Sequence, residues 1–206
     1  MNSTVGHIKT RDRRTGQLPR SFVLKHAVRV FNADAYRAYV GFKEALRRSG
    51  DVDGRTAAAL SASGGPVATR PYAGIHGEHG VDEDVHEAWL WHGTLPASAD
   101  GITTEQFRVD FRNRGGLFGA GIYFAEKSTK SDEYARETVK DGPHKGCRVL
   151  LLCRVTLGNV GVAKRSGSAT RHGENHSTLG LAAYREFVVS SPDQVYPNYI
   201  LYYERS

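Results

Sequence analysis

The sequence predicts an α+β domain, in which several short strands are combined with one or two helices. Short runs of apolar and β-branched residues recur along the chain, and one stretch has the spacing of an amphipathic helix. Segments rich in glycine, serine and proline separate these elements. The chain has 206 residues, which is enough for one domain with a complete hydrophobic core.

The first part of the chain divides into a basic arm, a strand and a helix. Residues 1–19 are polar and basic without periodicity, and they predict a disordered arm before a folded domain at 20–206. Residues 22–30 predict a strand. Asn32 or Asp34 can cap a helix that runs to about Arg48. The face of this helix is mostly apolar and carries Tyr36, Tyr39, Val40, Lys43 and Leu46.

The rest of the chain predicts mainly strands and loops. Residues 51–86 are rich in alanine, glycine, serine and charged residues, and the stretch SASGGPVATRP at 61–71 indicates a loop or linker. Residues 166–180 indicate a second long loop. Short strands are predicted at 88–92, 186–190 and 199–203. The run at 148–157 is almost continuously apolar, which predicts a strand buried on both faces.

The charge, the hydrophobicity and the cysteine content indicate what kind of protein this is and where it is located. The net charge is +6 and the isoelectric point is about 9.4. The excess lies at Lys9, Arg11, Arg13, Arg14 and Arg20, and at Arg108, Arg112 and Arg114. These residues form either an ordinary solvated surface or a surface that attracts phosphates. No apolar run is long enough for a membrane helix, and the first residues do not resemble a secretory signal. Cys147 and Cys153 are expected to be reduced, which indicates a cytoplasmic protein, or a nuclear one in a eukaryote. The sequence does not determine the oligomeric state, and a monomer is favoured.

A glycine-rich segment followed by aromatic and hydroxyl residues is a candidate binding site. Residues 115, 116, 119 and 121 are glycines, which let a backbone approach a ligand closely. If Ser128 caps a helix, Ser131 and Tyr134 project to the same side. A hydroxyl beside an aromatic face suits a flat heteroaromatic amide. Alone, the same pattern fits a plain turn before a capped helix. Neither a dinucleotide-binding fingerprint nor a phosphate loop is present.

Three segments together resemble the catalytic domain of the poly(ADP-ribose) polymerase family, and its tankyrase branch most closely. They are WHGT at 91–94, GAGIYFAEKSTKSDEY at 119–134 and YPNY at 196–199. The strand RVLLLCRVTLG also matches, and the resemblance covers about residues 20–204. It implies mixed, mainly antiparallel sheets that form a split β core with few helices. It also implies NAD⁺ as co-substrate.

The resemblance implies a role for each matched residue. His92 would hydrogen-bond a ribose hydroxyl of the adenosine half of NAD⁺, near Thr94. The backbone of Gly93 and the hydroxyl of Ser131 would hold the nicotinamide carboxamide. Tyr134 would stack on the nicotinamide and Tyr123 would line the other wall. Residues 107–118 would cover the site. Considered one by one, His92, Tyr123 and Tyr134 also fit ordinary core positions.

One motif departs from the family pattern. Polymerising members carry glutamate in a Y-x-E-Y strand, where it contacts the nicotinamide ribose and helps to activate the attacking hydroxyl. The aligned residue here is Asn198, which can hold the ribose but cannot act as a base. Glu186, Asp193 and Glu204 lie nearby in sequence and could compensate in part. The stretch before the central strand offers only His144 and Cys147, so no metal is expected.

These observations predict a mono-ADP-ribosyltransferase that uses NAD⁺. Without a base, acceptors that need no deprotonation are favoured: protein carboxylates, nucleic-acid phosphates or nucleobases. The basic residues favour nucleic acid slightly, although they could equally hold the NAD⁺ pyrophosphate. The alternative is a catalytically weak or inactive module that binds NAD⁺ or ADP-ribose.

Overall fold

The computed structural model describes residues 1–10, 12, 13, 17–72, 80–109, 116–164 and 175–206. Arg11, Arg14, Arg112 and Arg114 of the predicted basic set lie outside the described residues, as do the middle of the 107–118 loop and most of the 166–180 loop.

Within the described residues, eight strands form one sheet in the order β1-β8-β4-β2-β3-β7-β6-β5. The strands are β1 (Phe22–Arg29), β2 (Glu87–Gly93), β3 (Ile122–Ala125), β4 (Arg148–Thr156), β5 (Val160–Ala163), β6 (Ser177–Leu181), β7 (Arg185–Val189) and β8 (Val195–Arg205). Neighbouring strands are antiparallel except for β5 and β6, which are parallel.

The sheet parts between β2 and β3. These two strands share only the pair Trp91↔Ala125, whereas β2 pairs with β4 along its whole length, from Glu87↔Thr156 to Gly93↔Leu150. The sheet therefore has two halves, one of β1, β8, β4 and β2, the other of β3, β7, β6 and β5. This confirms the α+β class with a split, mainly antiparallel β core.

The core lies against the central strands, as the apolar run in β4 predicts. Leu150, Leu151, Cys153 and Val155 of β4 are completely buried. Successive side chains of a strand point to opposite faces of the sheet, and both sets are buried in β4. Burial on both faces explains why its sequence is almost continuously apolar rather than alternating.

The helices are α1 (Ala33–Ser49), α2 (Arg55–Ala62), α3 (Pro96–Glu105) and the short α4 (Ser128–Asp132). The prediction of α1 is confirmed: the Asn32 side chain accepts a hydrogen bond from the Ala35 amide, and Gly50 ends the helix at φ +66°. Tyr39 and Leu46 are buried, whereas Tyr36 is half exposed. Within the described chain, no helix is both long and apolar enough to cross a lipid bilayer.

Some local predictions need correction. The loop predicted at 61–71 overlaps only the end of α2, whereas the loop predicted at 166–180 includes part of β6. Ser128 does not cap α4, because the cap position is Lys127 and the Ser128 hydroxyl donates to the Met1 carbonyl at 3.0 Å. These elements are short, and they depend on long-range contacts that local sequence does not show.

The N-terminal segment, residues 1–13, packs against α4 in its described part, where its composition predicted disorder. The Gly6 amide donates to Thr129 Oγ1 at 2.7 Å. The Arg13 guanidinium is buried and lies 2.8 Å from Asp132 Oδ2. A buried ion pair stabilises the fold only when both partners are held in place, so these residues behave as part of the domain.

Candidate active site

A cavity of about 390 Å³ opens beside the parting of the sheet, where the end of β2 meets α4. Five residues that the sequence predicted as site residues line it together: His92, Gly93, Tyr123, Ser131 and Tyr134. They come from β2, β3, α4 and the turn after α4. The fold therefore brings these two motifs of the sequence to one place.

The His92 side chain is held in one orientation. Its Nδ1 lies 2.9 Å from the Tyr123 carbonyl oxygen, and its ring contacts the rings of Phe107 and Phe124. Because a carbonyl only accepts, Nδ1 carries the proton and Nε2 is left as a hydrogen-bond acceptor. Burial lowers the pKa of His92, and this effect outweighs the hydrogen bond to the Tyr123 carbonyl, which raises it. The lowered pKa favours the neutral imidazole.

Gly93 is required by a close approach of β2 to α4. A Cβ atom at this position would lie 1.7 Å from the Ser131 carbonyl oxygen. The Ser131 hydroxyl donates to the Trp91 carbonyl at 2.8 Å, which ties α4 to the same end of β2. The Gly93 backbone and the Ser131 hydroxyl are thus adjacent, as the binding of a carboxamide by both would require.

Tyr134 and Tyr123 are anchored by their hydroxyl groups. The Tyr134 hydroxyl donates to Asp12 Oδ2 at 3.1 Å, and its side chain remains partly exposed. Burial is the main reason that the pKa of Tyr134 rises to about 12. The Tyr123 hydroxyl donates to the Gly119 carbonyl at 2.6 Å and accepts from the Phe118 amide at 2.9 Å. Tyr123 therefore holds the glycine-rich segment against the cavity.

The carboxylate of Glu186 lines the cavity. Glu186 lies on β7, opposite Ala125 of β3, and it is buried. Burial raises the pKa of this carboxyl, while Lys130, with Nζ 3.7 Å from Glu186 Oε1, opposes the rise.

Asn198, which the sequence predicted as a catalytic and NAD⁺-binding residue, lies elsewhere in the fold. It lies on β8 at a bulge opposite β4, and its carbonyl accepts from the Val30 amide at 2.9 Å. Strands β4 and β2 separate β8 from the half of the sheet that bears β3 and β7. Asn198 is not among the residues that line the cavity.

The sequence contained a signal for Glu186. Tyr184-Arg185-Glu186-Phe187 fits the Y-x-E-Y pattern with phenylalanine in the last place, and the later YPNY fits it with asparagine in the third. The described fold, not the spacing, distinguishes the two segments, because only β7 adjoins β3 at the cavity.

Some of the other predicted site residues line the cavity and others do not. Thr94 follows β2 directly but does not line the cavity. In the described parts of the 107–118 loop, Phe107 packs on His92, and Gly116 and Leu117 line the cavity. The Arg108 guanidinium is exposed and paired with Glu105.

A charged cluster beside Tyr134 was missed by sequence reasoning. The buried Lys130 ammonium donates to Asp12 Oδ2 at 2.8 Å and to Glu133 Oε2 at 2.9 Å. Burial alone lowers the pKa of Lys130, but Asp12, Glu186 and Glu133 outweigh it and raise that pKa well above its usual value. The Arg136 guanidinium carbon lies 5.8 Å from the centre of the Tyr134 ring. No local sequence signal joins Asp12 to this site.

His144 and Cys147, the two residues considered as metal ligands, lie outside the cavity lining, and the His144 ring stacks on Tyr202 at 3.8 Å. Among the residues that the structure describes, no group of three or more His, Cys, Asp or Glu side chains is arranged to hold a metal ion.

Comparison with known proteins identifies similar sequences in a single family. The model of the poly(ADP-ribose) polymerase catalytic domain matches residues 73–183, just over half of the chain. A probable poly(ADP-ribose) polymerase of Dictyostelium discoideum is 28% identical over 123 residues, which cover 59% of this chain and 35% of that protein. A Caenorhabditis elegans protein named poly(ADP-ribose) polymerase tankyrase is 25% identical over 167 residues, covering 59% of this chain and 7% of its own length.

A second C. elegans protein, poly(ADP-ribose) polymerase 1, is 35% identical over 85 residues, which cover 40% of this chain and 8% of that protein. The chain thus spans 35% or less of the length of these three relatives. The matched range 73–183 includes His92, Tyr123, Ser131 and Tyr134, and it ends before Glu186 and Asn198.

Proposed function

Because the chain belongs to the poly(ADP-ribose) polymerase catalytic-domain family, we propose that its cavity binds NAD⁺ and that it transfers ADP-ribose to a protein acceptor, with release of nicotinamide. The observation that supports this most strongly is the set of His92, Gly93, Ser131, Tyr134 and Glu186 around one cavity.

The cavity suits the nicotinamide end of NAD⁺. Tyr134 offers a ring for stacking, and Tyr123 forms a second wall. The Gly93 backbone can approach a carboxamide because no side chain intervenes. Ser131 already donates its proton to Trp91, so its oxygen would accept from the carboxamide NH₂ group. The Nε2 atom of His92 would accept from a ribose hydroxyl.

Glu186 would supply the negative charge that the reaction needs. When the bond between nicotinamide and ribose breaks, its electron pair leaves with nicotinamide, and positive charge develops on the ribose. A carboxylate beside the ribose stabilises that charge, and it can accept the proton that an attacking hydroxyl loses.

The expectation of single transfer rested on an uncharged amide at this place. With Glu186 at the cavity, that reason no longer applies. Hydroxyl acceptors, including the ribose hydroxyl of an ADP-ribose unit already attached, come within the chemistry of the site. We therefore propose hydroxyl or carboxylate side chains of proteins as acceptors. The same chemistry allows a second ADP-ribose unit to be added to the first.

A protein acceptor is favoured because part of the predicted basic surface is engaged. Arg13 is buried against Asp132, and Arg108 is paired with Glu105. The buried Arg13 guanidinium cannot reach a phosphate in solution, and Glu105 partly offsets the charge of the exposed Arg108.

The test uses NAD⁺ labelled in its adenosine half with mixed protein and nucleic-acid acceptors, followed by protease or nuclease digestion. We expect nicotinamide release and label that protease makes soluble. Hydroxylamine then separates carboxylate esters, which it cleaves, from hydroxyl linkages. Label released by nuclease would contradict the protein acceptor, and NAD⁺ binding without nicotinamide release would indicate a binding module. A His92→Ala protein serves as the control.

A further inference from the structure

The N-terminal segment places an acidic side chain in the cavity. Asp12 lines the cavity although it lies 118 residues before Lys130 in sequence. Its Oδ2 atom accepts from Lys130 Nζ at 2.8 Å and from the Tyr134 hydroxyl at 3.1 Å. One carboxylate oxygen thus contacts both the buried ammonium and the aromatic wall of the site.

The residues on either side of Asp12 hold it in place. The Arg13 guanidinium donates to the Thr129 carbonyl and to Asp132 Oδ2, both at 2.8 Å. The Thr10 hydroxyl lies 2.8 Å from both carboxylate oxygens of Glu133. These contacts fix the segment against α4 and the turn after it, so the position of Asp12 is defined by the fold.

The Lys130 ammonium lies closer to three other acceptors than to Glu186. An ammonium group has three N–H bonds. Here they are directed to Asp12 at 2.8 Å, Glu133 at 2.9 Å and the Tyr134 hydroxyl at 3.3 Å. Glu186 Oε1 lies 3.7 Å from Nζ, which is longer than a direct hydrogen bond.

We propose that Asp12 is a positioning residue of the active site, which holds the Lys130 ammonium and the Tyr134 hydroxyl and so keeps that ammonium from closing on Glu186. The role of Glu186 in catalysis rests on the proposed function; the restraint of Lys130 by Asp12 does not. In this arrangement Glu186 keeps its oxygen atoms for a ribose or acceptor hydroxyl.

The charges that face Glu186 predict what the loss of Asp12 would do. Lys130 and Glu133 face it from α4 and the following turn, Asp12 from the N-terminal segment, and the phenols of Tyr123 and Tyr134 and the Arg136 guanidinium line the same cavity. After burial, Lys130 lowers the pKa of Glu186, and Asp12 raises it. Removing the charge of Asp12 takes away a like charge and lets the ammonium move from its 3.7 Å separation to a direct hydrogen bond with Glu186. Both changes lower the pKa of Glu186.

The experiment is a ¹³C NMR titration of the Glu186 carboxyl carbon, with its signal assigned by its loss in Glu186→Gln. In Asp12→Asn we expect the midpoint to move to lower pH, and in Asp12→Glu to return towards that of the wild type. Asp34→Asn, which removes a charge from an exposed ion pair on α1, is the matched control and should leave the midpoint unchanged. An unchanged midpoint in a folded Asp12→Asn protein would overturn the proposal.

Nicotinamide release measured on the same proteins separates this proposal from the proposed function. In Asp12→Asn we expect kcat to be about tenfold lower, because the competing ammonium weakens the electrostatic action of Glu186. We also expect the acidic limb of the pH profile of kcat to move to lower pH. Wild-type protein that releases no nicotinamide would contradict the proposed function, while the NMR titration would still decide the role of Asp12. Activity and midpoint that both match the wild type in Asp12→Asn would contradict the positioning role alone.

Discussion

Tyr134 combines two contacts that a substitution can separate. Its hydroxyl is held by Asp12 and Lys130, and its ring faces the cavity. Stacking depends on the ring, whereas the hydrogen bonds depend on the hydroxyl. At the scale of one residue, the binding of an aromatic carboxamide therefore tests whether this ring is the stacking surface.

We expect Tyr134→Ala to weaken the binding of 3-aminobenzamide by about 1–3 kcal/mol, the range found for stacking of bases on aromatic side chains. Tyr134→Phe keeps the ring and should bind almost as tightly as the wild type. Isothermal titration calorimetry measures both. Equal affinities for the alanine and wild-type proteins would show that the ligand does not stack on Tyr134.

The sequence predicted which residues line the cavity only where they stand in a local motif. His92, Gly93, Ser131 and Tyr134 stand in two compact motifs, and the fold gathers them at one cavity. Glu186 stands in a four-residue pattern that occurs twice in approximate form, so sequence alone did not distinguish it from Asn198. The choice depends on which strand adjoins β3, and that is a property of the sheet.

At the scale of elements, the contact of β2 with α4 sets the shape of the cavity. The contact has no room for a side chain at Gly93, since a Cβ atom there would overlap the Ser131 carbonyl. Ser131 in turn holds Trp91. Any widening of this contact would move both groups that are expected to hold the carboxamide.

We expect Gly93→Ala to lower the free energy of unfolding by about 1–3 kcal/mol, the usual cost of overpacking, and to abolish measurable binding of 3-aminobenzamide. Gly41→Ala is the matched control, because a Cβ atom at Gly41 of α1 meets open space. It should raise stability by roughly 0.5–1 kcal/mol. Urea unfolding measures both effects. A Gly93→Ala protein with normal stability and binding would contradict the close contact.

Long elements with strong periodicity were predictable, and short ones were not. The pattern of α1 and the apolar run of β4 identify these elements without reference to the rest of the chain. Strands β5 and β6 are short and pair with each other in parallel, so their formation depends on residues that meet only in the folded chain. The same is true of α4, which has only five residues.

At the scale of the whole molecule, the N-terminal segment and the last strand, β8, both contact Asp132. This buried carboxylate contacts Arg13 of the segment, Tyr203 and Arg205 of β8, and it belongs to α4. Composition predicted a disordered arm, since basic polar residues usually remain solvated. Asp132 lies 119 residues after Arg13 in the sequence. No local sequence pattern therefore reveals their contact.

We expect Arg13→Ala to lower the free energy of unfolding by about 3 kcal/mol, because it leaves a buried carboxylate with one fewer partner. Arg37→Ala, which removes an exposed ion pair with Asp34, should change stability by less than about 1 kcal/mol. Urea unfolding of both variants is the measurement. If Arg13→Ala is no more destabilising than Arg37→Ala, the segment is not packed as described.

The central claim is that Glu186 is the carboxylate of the active site and that Asn198 is remote from it. The most direct test is the rate of nicotinamide release from NAD⁺ by Glu186→Gln and Asn198→Ala, compared with the wild type. The first variant keeps the shape of the side chain and removes its charge, which should lower kcat about 100-fold or more. The second should stay within about twofold of the wild type, since it alters no residue of the cavity lining. The opposite pattern, with activity lost in Asn198→Ala and kept in Glu186→Gln, would contradict the account.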